Sequence, residues 1–304
     1  MMSQMKKLSG VNPPVITIFD RQGRIDLEAN KRQADFLIAK GVDGLAYLGT
    51  SGEFSVITVE EKKRFLSEMI AYVNGRVNVI AGVGDTCLAN TMELLTFAEK
   101  EGADAALVVN PYFSVYDSKM VEAYFRQVAS CTSLPVILYN FPDLTGYCLQ
   151  TDVVCRLVKE APNIIGIKDT VGDFNHILGM RKVKEVHPDF LVFAAYESQA
   201  LGLLACGVDG FINATANFAP EFTVYTYQAA LRNDFKEAAV WFRKMVEAMD
   251  IYMYSTPLFL ACKQAVYDRV LGRDGYERLP ALALDAQAKA KIHEKLKALQ
   301  LLER

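Results

Sequence analysis

The sequence lacks the patterns by which metalloproteins and disulfide-stabilised proteins are recognised. The chain of 304 residues has only three histidines, His176, His187 and His293. None of them stands at the spacing of a metal site. The six cysteines lie far apart in the sequence and form no CxxC pair. We therefore expect no bound metal, and we expect reduced cysteines in a cytoplasmic protein.

An excess of one charge and long apolar runs are also missing. The 33 basic and 36 acidic side chains give a formal net charge of −3, so nucleic acid is not an expected partner. The first residues, MMSQMKKLSGVNPP, contain two lysines but no apolar run after them, unlike a signal peptide. No apolar stretch approaches the length of a membrane span, so we expect no membrane partner.

What the sequence does contain is a succession of short β-rich runs. The first seven of the eight runs start 27 to 33 residues apart along the chain, and each interval leaves room for a strand, a helix and two loops. The last follows its predecessor by only 19 residues. The runs occupy residues 15–19, 44–49, 77–83, 105–110, 135–140, 164–168, 191–196 and 210–215.

The stretches between these runs read as helices with recognisable ends. Asp26 is a good N-cap for the first helix, and Gly41 ends it. Thr58 with Glu61, and Asn90 with Glu93, have the spacing of a capping box. The tetrapeptides GVDG, GADA and GVDG start at residues 41, 102 and 207, each between a helix and the next strand. Glycine can end a helix in a left-handed conformation, and aspartate suits the tight turn that follows.

Alternating strands and helices predict a parallel sheet, and eight units predict an α/β fold of the (β/α)₈ TIM-barrel type. A doubly wound open sheet is the alternative. Its expected nucleotide fingerprint is incomplete in GVGDTC (82–87), and the chain has no GK[ST] phosphate loop. Residues 221–304 lack the strand period. We interpret residues 1–220 as the catalytic barrel and residues 221–304 as a C-terminal helical region of the same domain.

The C-terminal ends of the strands are where barrel enzymes carry their chemistry. Lys168 ends strand six, and alternation places it on one face with Gly166 and Ile164, where the small Gly166 leaves room. A lysine in apolar surroundings loses its proton more easily and can attack a carbonyl. Tyr139 ends strand five and can exchange protons beside it. The alternatives are a salt bridge from Lys168 to Asp169, and a core tyrosine with a solvated hydroxyl.

Strand two ends in GTSGEF (49–54), which offers the hydroxyls of Thr50 and Ser51. Consecutive backbone amides in this glycine-bounded turn could bind the carboxylate of an α-keto acid. An ordinary turn is the alternative interpretation. Glu53 is expected to be structural and to accept hydrogen bonds from loop amides.

Together, GTSGEF, YNFPDLTG (139–146) and GIKD (166–169) resemble the pyruvate-dependent class I aldolase family. That family includes dihydrodipicolinate synthase, N-acetylneuraminate lyase and 2-keto-3-deoxygluconate aldolase, and the match runs from about residue 9 to about residue 295. The resemblance implies a homotetramer with no cofactor beyond a covalent lysine Schiff base. It also implies site residues: Lys168 as the Schiff-base lysine, Tyr139 as the proton shuttle, Thr50 and Ser51 on the carboxylate, Thr50 in a proton relay, and the backbone of Ile212 facing pyruvate.

Tyr112, in NPYF, is similar to the tyrosine that enters the neighbouring subunit's site in family tetramers; an aromatic side chain in an Asn-Pro turn is the alternative. The synthase branch has an arginine where this chain has Leu144, and leucine cannot hold a distal carboxylate. The chain therefore most closely resembles the 2-keto-3-deoxygluconate aldolases. Four side chains after strands seven and eight could bind a polyhydroxy aldehyde, and ordinary loop polarity is the alternative: Ser198, Gln199, Asn213 and Asn217.

The sequence thus predicts a carbon–carbon lyase that cleaves a 2-keto-3-deoxy sugar acid to pyruvate and an aldehyde. One alternative is a synthase-type condensation of pyruvate with another aldehyde, such as aspartate semialdehyde. The other is a non-catalytic sensor of α-keto acids.

Overall fold

A computed structural model describes residues 8–302, and these residues contain eight parallel strands in one sheet. The runs predicted from residue 44 onward each contain a strand. The strands are β1 Gly10–Val11, β2 Gly44–Tyr47, β3 Asn78–Gly82, β4 Ala105–Val109, β5 Val136–Asn140, β6 Ile164–Asp169, β7 Leu191–Ala194 and β8 Gly210–Phe211.

The sheet curls into a barrel in which β2 to β8 follow chain order and β1 pairs with β8. A parallel bridge between Pro14 and Ala46 joins the segment after β1 to β2, and the amide of Val15 donates to the Ala46 carbonyl at 2.8 Å. This contact completes the ring. The predicted (β/α)₈ barrel is confirmed.

The first strand was predicted at the wrong place. β1 is the short Gly10–Val11 segment, whereas residues 15–19 make only isolated bridges. All of residues 15–19 are buried, so their apolar character reflects burial rather than pairing. Pro13 and Pro14 have no amide hydrogen for a ladder, which explains why regular pairing stops before this run.

Helices cover the barrel and form the C-terminal region. They are α1 Leu27–Ala39, α2 Val59–Val73, α3 Leu88–Glu101, α4 Ser118–Ser130, α5 Pro142–Thr145, α6 Thr151–Glu160, α7 Phe174–Met180, α8 Ala200–Ala205, α9 Pro220–Leu231, α10 Phe235–Ala248, α11 Phe259–Val266 and α12 Ala286–Ala298. Within residues 8–302, no helix is both long and apolar enough to span a bilayer.

Two of the three predicted helix starts are confirmed. The Asp26 side chain caps α1, and Thr58 and Glu61 form the complete capping box of α2. The Asn90–Glu93 box is wrong, because α3 already begins at Leu88. The carboxylate of Asp85 accepts from the Cys87 amide and the Asn90 side chain, which fixes the chain just before this earlier start.

The three repeated loops share one geometry. Their first glycines have left-handed φ angles of +82°, +88° and +80° at Gly41, Gly102 and Gly207. In each loop, the aspartate carboxylate accepts a hydrogen bond from a backbone amide of a strand. That strand is the one that comes before the helix leading into the loop. These hydrogen bonds run from Val11 N to Asp43 at 2.8 Å, from Val79 N to Asp104 at 2.8 Å and from Val192 N to Asp209 at 2.9 Å.

Strand β6 carries an irregularity that the sequence did not indicate. Val136 of β5 pairs with Ile164, but the next residue, Ile137, pairs with Gly166. Ile165 is therefore skipped and packs toward the barrel interior, while Ile164 packs into the outer core. The expectation that Ile164 shares the face of Lys168 is wrong, because a bulge reverses the alternation.

Gly166 is also explained differently from the prediction. A Cβ atom on Gly166 would lie 2.8 Å from the carbonyl oxygen of Leu191 in β7. The glycine thus allows a close approach of two strands, rather than leaving open room below Lys168.

Candidate active site

The amine and phenol predicted from the sequence meet inside the barrel. The register of β5 and β6 pairs Tyr139 directly with Lys168. The Lys168 Nζ lies 4.0 Å from the centre of the Tyr139 ring. Lys168 is 4% exposed and Tyr139 is 3% exposed, so both groups are almost fully removed from water.

Burial changes the protonation of both groups. Desolvation lowers the pKa of Lys168 to about 7, although the Glu197 carboxylate acts in the opposite direction. A substantial fraction of this lysine is therefore a neutral amine near neutral pH. Desolvation also raises the pKa of Tyr139 to about 12, although hydrogen bonds with the Thr50 and Thr170 hydroxyls act in the opposite direction. The tyrosine is consequently a neutral phenol that can donate a proton.

The turn after β2 supplies the hydroxyls. The Oγ1 of Thr50 lies 2.9 Å from the Tyr139 hydroxyl, at hydrogen-bond distance, and Ser51 is buried next to it. The amides of Gly52 and Glu53 donate to the carbonyls of Gly49 and Thr50. These two amides stabilise the turn itself, so they are not available to bind the carboxylate of an α-keto acid.

Glu53 is structural, but its partner differs from the prediction. Its backbone is left-handed, with φ of +56°, and its carboxylate accepts from the Lys263 ammonium at 2.7 Å rather than from loop amides. Lys263 is fully buried in α11 and also pairs with Glu277 at 2.6 Å. The C-terminal region therefore supports the turn that carries Thr50.

Asp169 does not pair with Lys168. Asp169 is fully buried, and its Oδ1 accepts from the Asn140 amide at 2.8 Å. Its Oδ2 lies 3.3 Å from the Nε2 of His176, on α7. The alternative that Lys168 is held by its neighbour in a salt bridge is excluded by this arrangement.

A cavity of about 380 Å³ opens beside Thr50 at the mouth of the barrel. Its walls are largely apolar and include Leu144 together with residues of the C-terminal region, namely Pro257, Phe259, Pro280 and Ala281. Arg278 also borders the cavity. Its guanidinium is directed at the Gly23 and Val56 carbonyls and at both oxygens of Glu61, so all five of its donors are occupied.

Tyr112 lies at the edge of the same cavity. Its ring contacts Phe54 edge-on, with 5.9 Å between ring centres, and partial burial raises the pKa of its hydroxyl to about 12. Next along the chain, Phe113 is 96% exposed in a left-handed conformation with φ of +76°. This loop thus presents a half-buried phenol and an exposed apolar ring.

The candidate residues after β7 and β8 lie in three different environments. Ile212 is in the interior apolar cluster with Tyr139, and its amide donates to the Ala194 carbonyl at 3.0 Å. Ser198 is exposed, and Gln199 donates to the Gly172 carbonyl at 2.6 Å. The two asparagines are buried and contact protein groups: Asn213 donates to Thr215 and Thr223, and Asn217 binds Pro14, Ile16 and Gln33.

Two buried polar residues near Lys168 were not singled out from the sequence. Thr170 is buried and continues the face of Lys168, and its hydroxyl acts on the Tyr139 phenol, whose pKa it lowers. Alternation from Lys168 would have found it. Glu197 accepts from Thr215, Asn213 and Tyr252. These contacts are distant in sequence, and no local pattern indicates them.

The chain is similar to known proteins along nearly its whole length. The Dihydrodipicolinate synthetase family model matches residues 7–299. YjhH of Escherichia coli (strain K12), provisionally named a 2-dehydro-3-deoxy-D-pentonate aldolase, is 41% identical over 97% of this chain and 98% of its own. A 4-hydroxy-tetrahydrodipicolinate synthase of Hyphomonas neptunium is 35% identical over 93% of this chain and 95% of its own.

A solved structure extends the comparison. YagE of Escherichia coli K12, crystallised with pyruvate, superposes with a TM-score of 0.93 and 38% identity, covering 97% of this chain and 99% of its own. YagE is provisionally named a 2-dehydro-3-deoxy-D-gluconate aldolase. The family's aldolases bind pyruvate covalently on a lysine without an external cofactor. The chain belongs to the dihydrodipicolinate synthetase family and is a pyruvate-dependent lyase, a class I aldolase.

Proposed function

We propose that this protein cleaves a 2-keto-3-deoxy sugar acid, such as 2-keto-3-deoxygluconate, into pyruvate and an aldehyde. The observation that carries the proposal is the placement of a desolvated amine, Lys168, against a phenol that is hydrogen-bonded to Thr50. The two aldolase-named relatives support a sugar acid as the substrate class.

The geometry supports a defined order of steps. The neutral amine of Lys168 attacks the C2 ketone, water leaves, and the protonated imine withdraws electrons from the C3–C4 bond. As that bond breaks and the aldehyde departs, the neutral phenol of Tyr139 accepts the proton of the C4 hydroxyl while its own proton moves into the hydrogen-bonded relay through Thr50, and the relay later returns this proton to C3. The enamine is then protonated at C3, and water releases pyruvate from the lysine. Thr50 and Ser51 hold the C1 carboxylate during these steps.

The groups at the cavity mouth favour an uncharged aldehyde. Leu144 is 57% exposed and offers no hydrogen-bond donor, and the donors of Arg278 are already occupied by Gly23, Val56 and Glu61. An aldehyde with its own carboxylate would therefore leave that charge without a fork of donors at this wall. This argues for sugar-acid cleavage over condensation with aspartate semialdehyde.

The Schiff base is tested by reduction. The protein is incubated with pyruvate and borohydride, weighed intact and mapped; we expect one adduct, on Lys168. Lys62 is an internal control, because it is also buried but is held by Asp85 and the Gly84 carbonyl. Lys168→Ala should fold and lose turnover. An unchanged mass, or an adduct on Lys62, would contradict the proposed role.

The substrate is tested with a panel of C5 and C6 2-keto-3-deoxy acids, read out as pyruvate released. Condensation of pyruvate with aspartate semialdehyde is measured alongside. We expect cleavage of a sugar acid to have the higher kcat/KM. If condensation has the higher kcat/KM, the proposed sugar-acid cleavage is wrong and the protein is a synthase. We retain Ser198, Gln199 and Asn213 as proposed contacts of the aldehyde, and Ile212 as a contact of pyruvate.

We also propose a cytoplasmic homotetramer in which Tyr112 serves the site of a neighbouring subunit. Its position at the cavity edge, beside the exposed Phe113, supports a role at a contact between chains. Tyr112→Phe should lower the rate without changing the assembly. Tyr112→Phe and Lys168→Ala chains that are mixed and reassembled should recover some activity. No recovery in confirmed mixed tetramers would favour the alternative, in which Tyr112 is only an aromatic side chain in an Asn-Pro turn.

A further inference from the structure

A buried carboxylate that the reaction steps above do not use lies just after the end of β7. Glu197 begins the turn that follows this strand and is 3% exposed. Its Oε1 atom accepts four hydrogen bonds: from the Thr215 amide at 2.9 Å, the Thr215 hydroxyl at 2.8 Å, the Asn213 side chain at 3.3 Å and the Tyr252 hydroxyl at 2.7 Å. All four donors are uncharged, so they hold the carboxylate in place without neutralising it.

The strand register places this carboxylate at the end of the barrel where Lys168 lies. Phe193 of β7 pairs with Lys168 of β6 and packs in the interior apolar cluster, and Glu197 follows four residues later. Its donors come from the segment after β8 and, through Tyr252, from the C-terminal region. Three separate parts of the chain therefore fix the position of one carboxylate beside the strand that carries the amine.

The titratable groups around Glu197 determine what its charge acts on. Four of them interact with it electrostatically: Lys168 from β6, the adjacent Tyr196, Tyr252 from residues 249–254 and Cys262 from α11. Desolvation raises the pKa of the two phenols and of the thiol, and Glu197 acts in the same direction, so these three groups remain neutral at physiological pH. Within residues 8–302, Lys168 is thus the one member of this set that can become a cation.

The Schiff base requires a positive charge at this nitrogen. When the amine of Lys168 bonds to C2 of the ketone and water leaves, the nitrogen keeps one proton as an iminium ion. Lys168 is 4% exposed, so water does little to stabilise that cation. Desolvation likewise disfavours the free ammonium and lowers the pKa of Lys168 to about 7, whereas Glu197 opposes this effect. The same carboxylate favours the iminium, because both cations are centred on the same nitrogen.

We propose that Glu197 is a positioning residue that serves as the fixed counter-ion of the protonated imine on Lys168. Its negative charge keeps the imine protonated, so that the nitrogen can withdraw electrons from the C3–C4 bond. The hydrogen bonds from Asn213, Thr215 and Tyr252 keep the carboxylate in the position from which it acts on Lys168. This inference rests on the proposed role of Lys168.

Glu197→Gln tests the charge with little change in packing. The amide oxygen can replace Oε1 and accept the same four hydrogen bonds. The amide nitrogen replaces Oε2, which receives no hydrogen bond from the described part of the chain.

Two measurements then titrate the Lys168 nitrogen, once as the free amine and once as the imine. Acetylation of Lys168 by acetic anhydride, measured without pyruvate and mapped by mass spectrometry, follows the neutral amine. Reduction by cyanoborohydride at saturating pyruvate follows the protonated imine, which is the form that this reagent reduces. Lys168 is also faced by the Tyr139 phenol from β5, which is neutral and is unchanged in every variant.

Both midpoints should move to lower pH in Glu197→Gln, by about one pH unit, at the lower end of the shift produced by a nearby opposite charge. Below both midpoints, acetylation should be about tenfold faster than in the unmodified protein, and above both midpoints reduction should be about tenfold slower. A loss of packing alone would not make the amine more reactive at low pH. The acetylation midpoint isolates the effect of Glu197, because the carboxylate of pyruvate is absent from that measurement.

Three further variants separate charge from structure. Tyr252→Phe removes one hydrogen bond to Glu197 but leaves the charge, and both midpoints should stay in place. Glu237→Gln removes the same charge from the surface, where Glu237 pairs with Arg232, and should also leave both midpoints unchanged. Glu197→Asp keeps the charge but draws it back by one carbon, so we expect a smaller downward shift than in Glu197→Gln.

The outcomes are distinguishable. Unmoved or raised midpoints in Glu197→Gln overturn the inference, and so does an equal shift in Tyr252→Phe or Glu237→Gln. If only the acetylation midpoint moves, Glu197 does not act on the imine and the inference is wrong. If Glu197→Gln does not fold, Glu197→Asp decides, and midpoints that stay in place overturn the inference. An unmodified protein without a pyruvate adduct on Lys168 overturns the proposed function as well, whereas an adduct with unmoved midpoints in Glu197→Gln overturns this inference alone.

Discussion

Removing the Lys263 ammonium should destabilise the protein far more than removing a lysine from an ion pair at the surface. Lys263 has no exposed side-chain surface, and its two partners, Glu53 and Glu277, are 3% and 10% exposed. Lys263→Met keeps the length of the side chain but leaves two buried carboxylates without a counter-ion. Breaking a buried pair from one side costs about 3–5 kcal/mol, and we expect a free-energy loss in that range.

The chain provides a matched control for this prediction. Lys295 also binds two carboxylates, Glu247 at 3.1 Å and Asp250 at 2.9 Å, but these partners are 53% and 56% exposed. Lys295→Met should therefore cost only about 0–1 kcal/mol. Urea unfolding of both variants and of the unmodified protein measures the difference, provided that the slopes with denaturant are equal.

The pH dependence sharpens the same prediction. Desolvation already raises the pKa of Glu53 in the folded state, and Lys263 acts against that rise. Without Lys263 the pKa should be raised further. A group with a raised folded pKa favours the folded state below its unfolded pKa and loses that contribution as the pH rises. The loss of unfolding free energy caused by Lys263→Met should hence grow from pH 4.5 to pH 7.5. A deficit equal to that of Lys295→Met, or independent of pH, would refute the reasoning.

Three other substitutions test separate parts of the structure. Tyr139→Phe should lower kcat by about 10²–10⁴-fold while cyanoborohydride still traps pyruvate on Lys168; an unchanged kcat would contradict the proton role. Leu144→Arg places a guanidinium at the exposed cavity wall and should raise kcat/KM for condensation with aspartate semialdehyde relative to sugar-acid cleavage; no change in that ratio would contradict the selectivity argument. Thr58→Ala removes a helix cap and should cost about 1 kcal/mol in urea unfolding, whereas a cost near zero would contradict it.

The parts of the site that could be predicted from the sequence depend on local geometry. In a barrel, neighbouring units in the chain become neighbouring strands, so two polar residues at the ends of runs five and six must meet. This is why Lys168 and Tyr139 could be placed together before their distance was known. The same holds for Thr58 and Glu61, because a capping box needs only residues three apart.

The parts that could not be predicted depend on contacts between distant residues. The partner of Glu53 is Lys263, 210 residues away, and no local pattern connects them. The bulge at Ile165 is set by how β5 and β6 fit together, and it reverses the face of Ile164. The buried run at 15–19 has the composition of a strand, but burial alone does not create a ladder of hydrogen bonds.

These long-range contacts also decide how the C-terminal region should be regarded. We propose that residues 1–220 and 221–304 form one domain, because helix α9 packs against β1. Arg278 holds the start of α2 through Glu61, at 2.7 Å. Lys263 holds the turn that positions Thr50, and Pro257, Phe259 and Pro280 form one wall of the cavity. The barrel supplies the amine and the phenol, but the C-terminal region fixes the hydroxyls and closes the cavity around them. We therefore expect catalysis by this chain to depend on both.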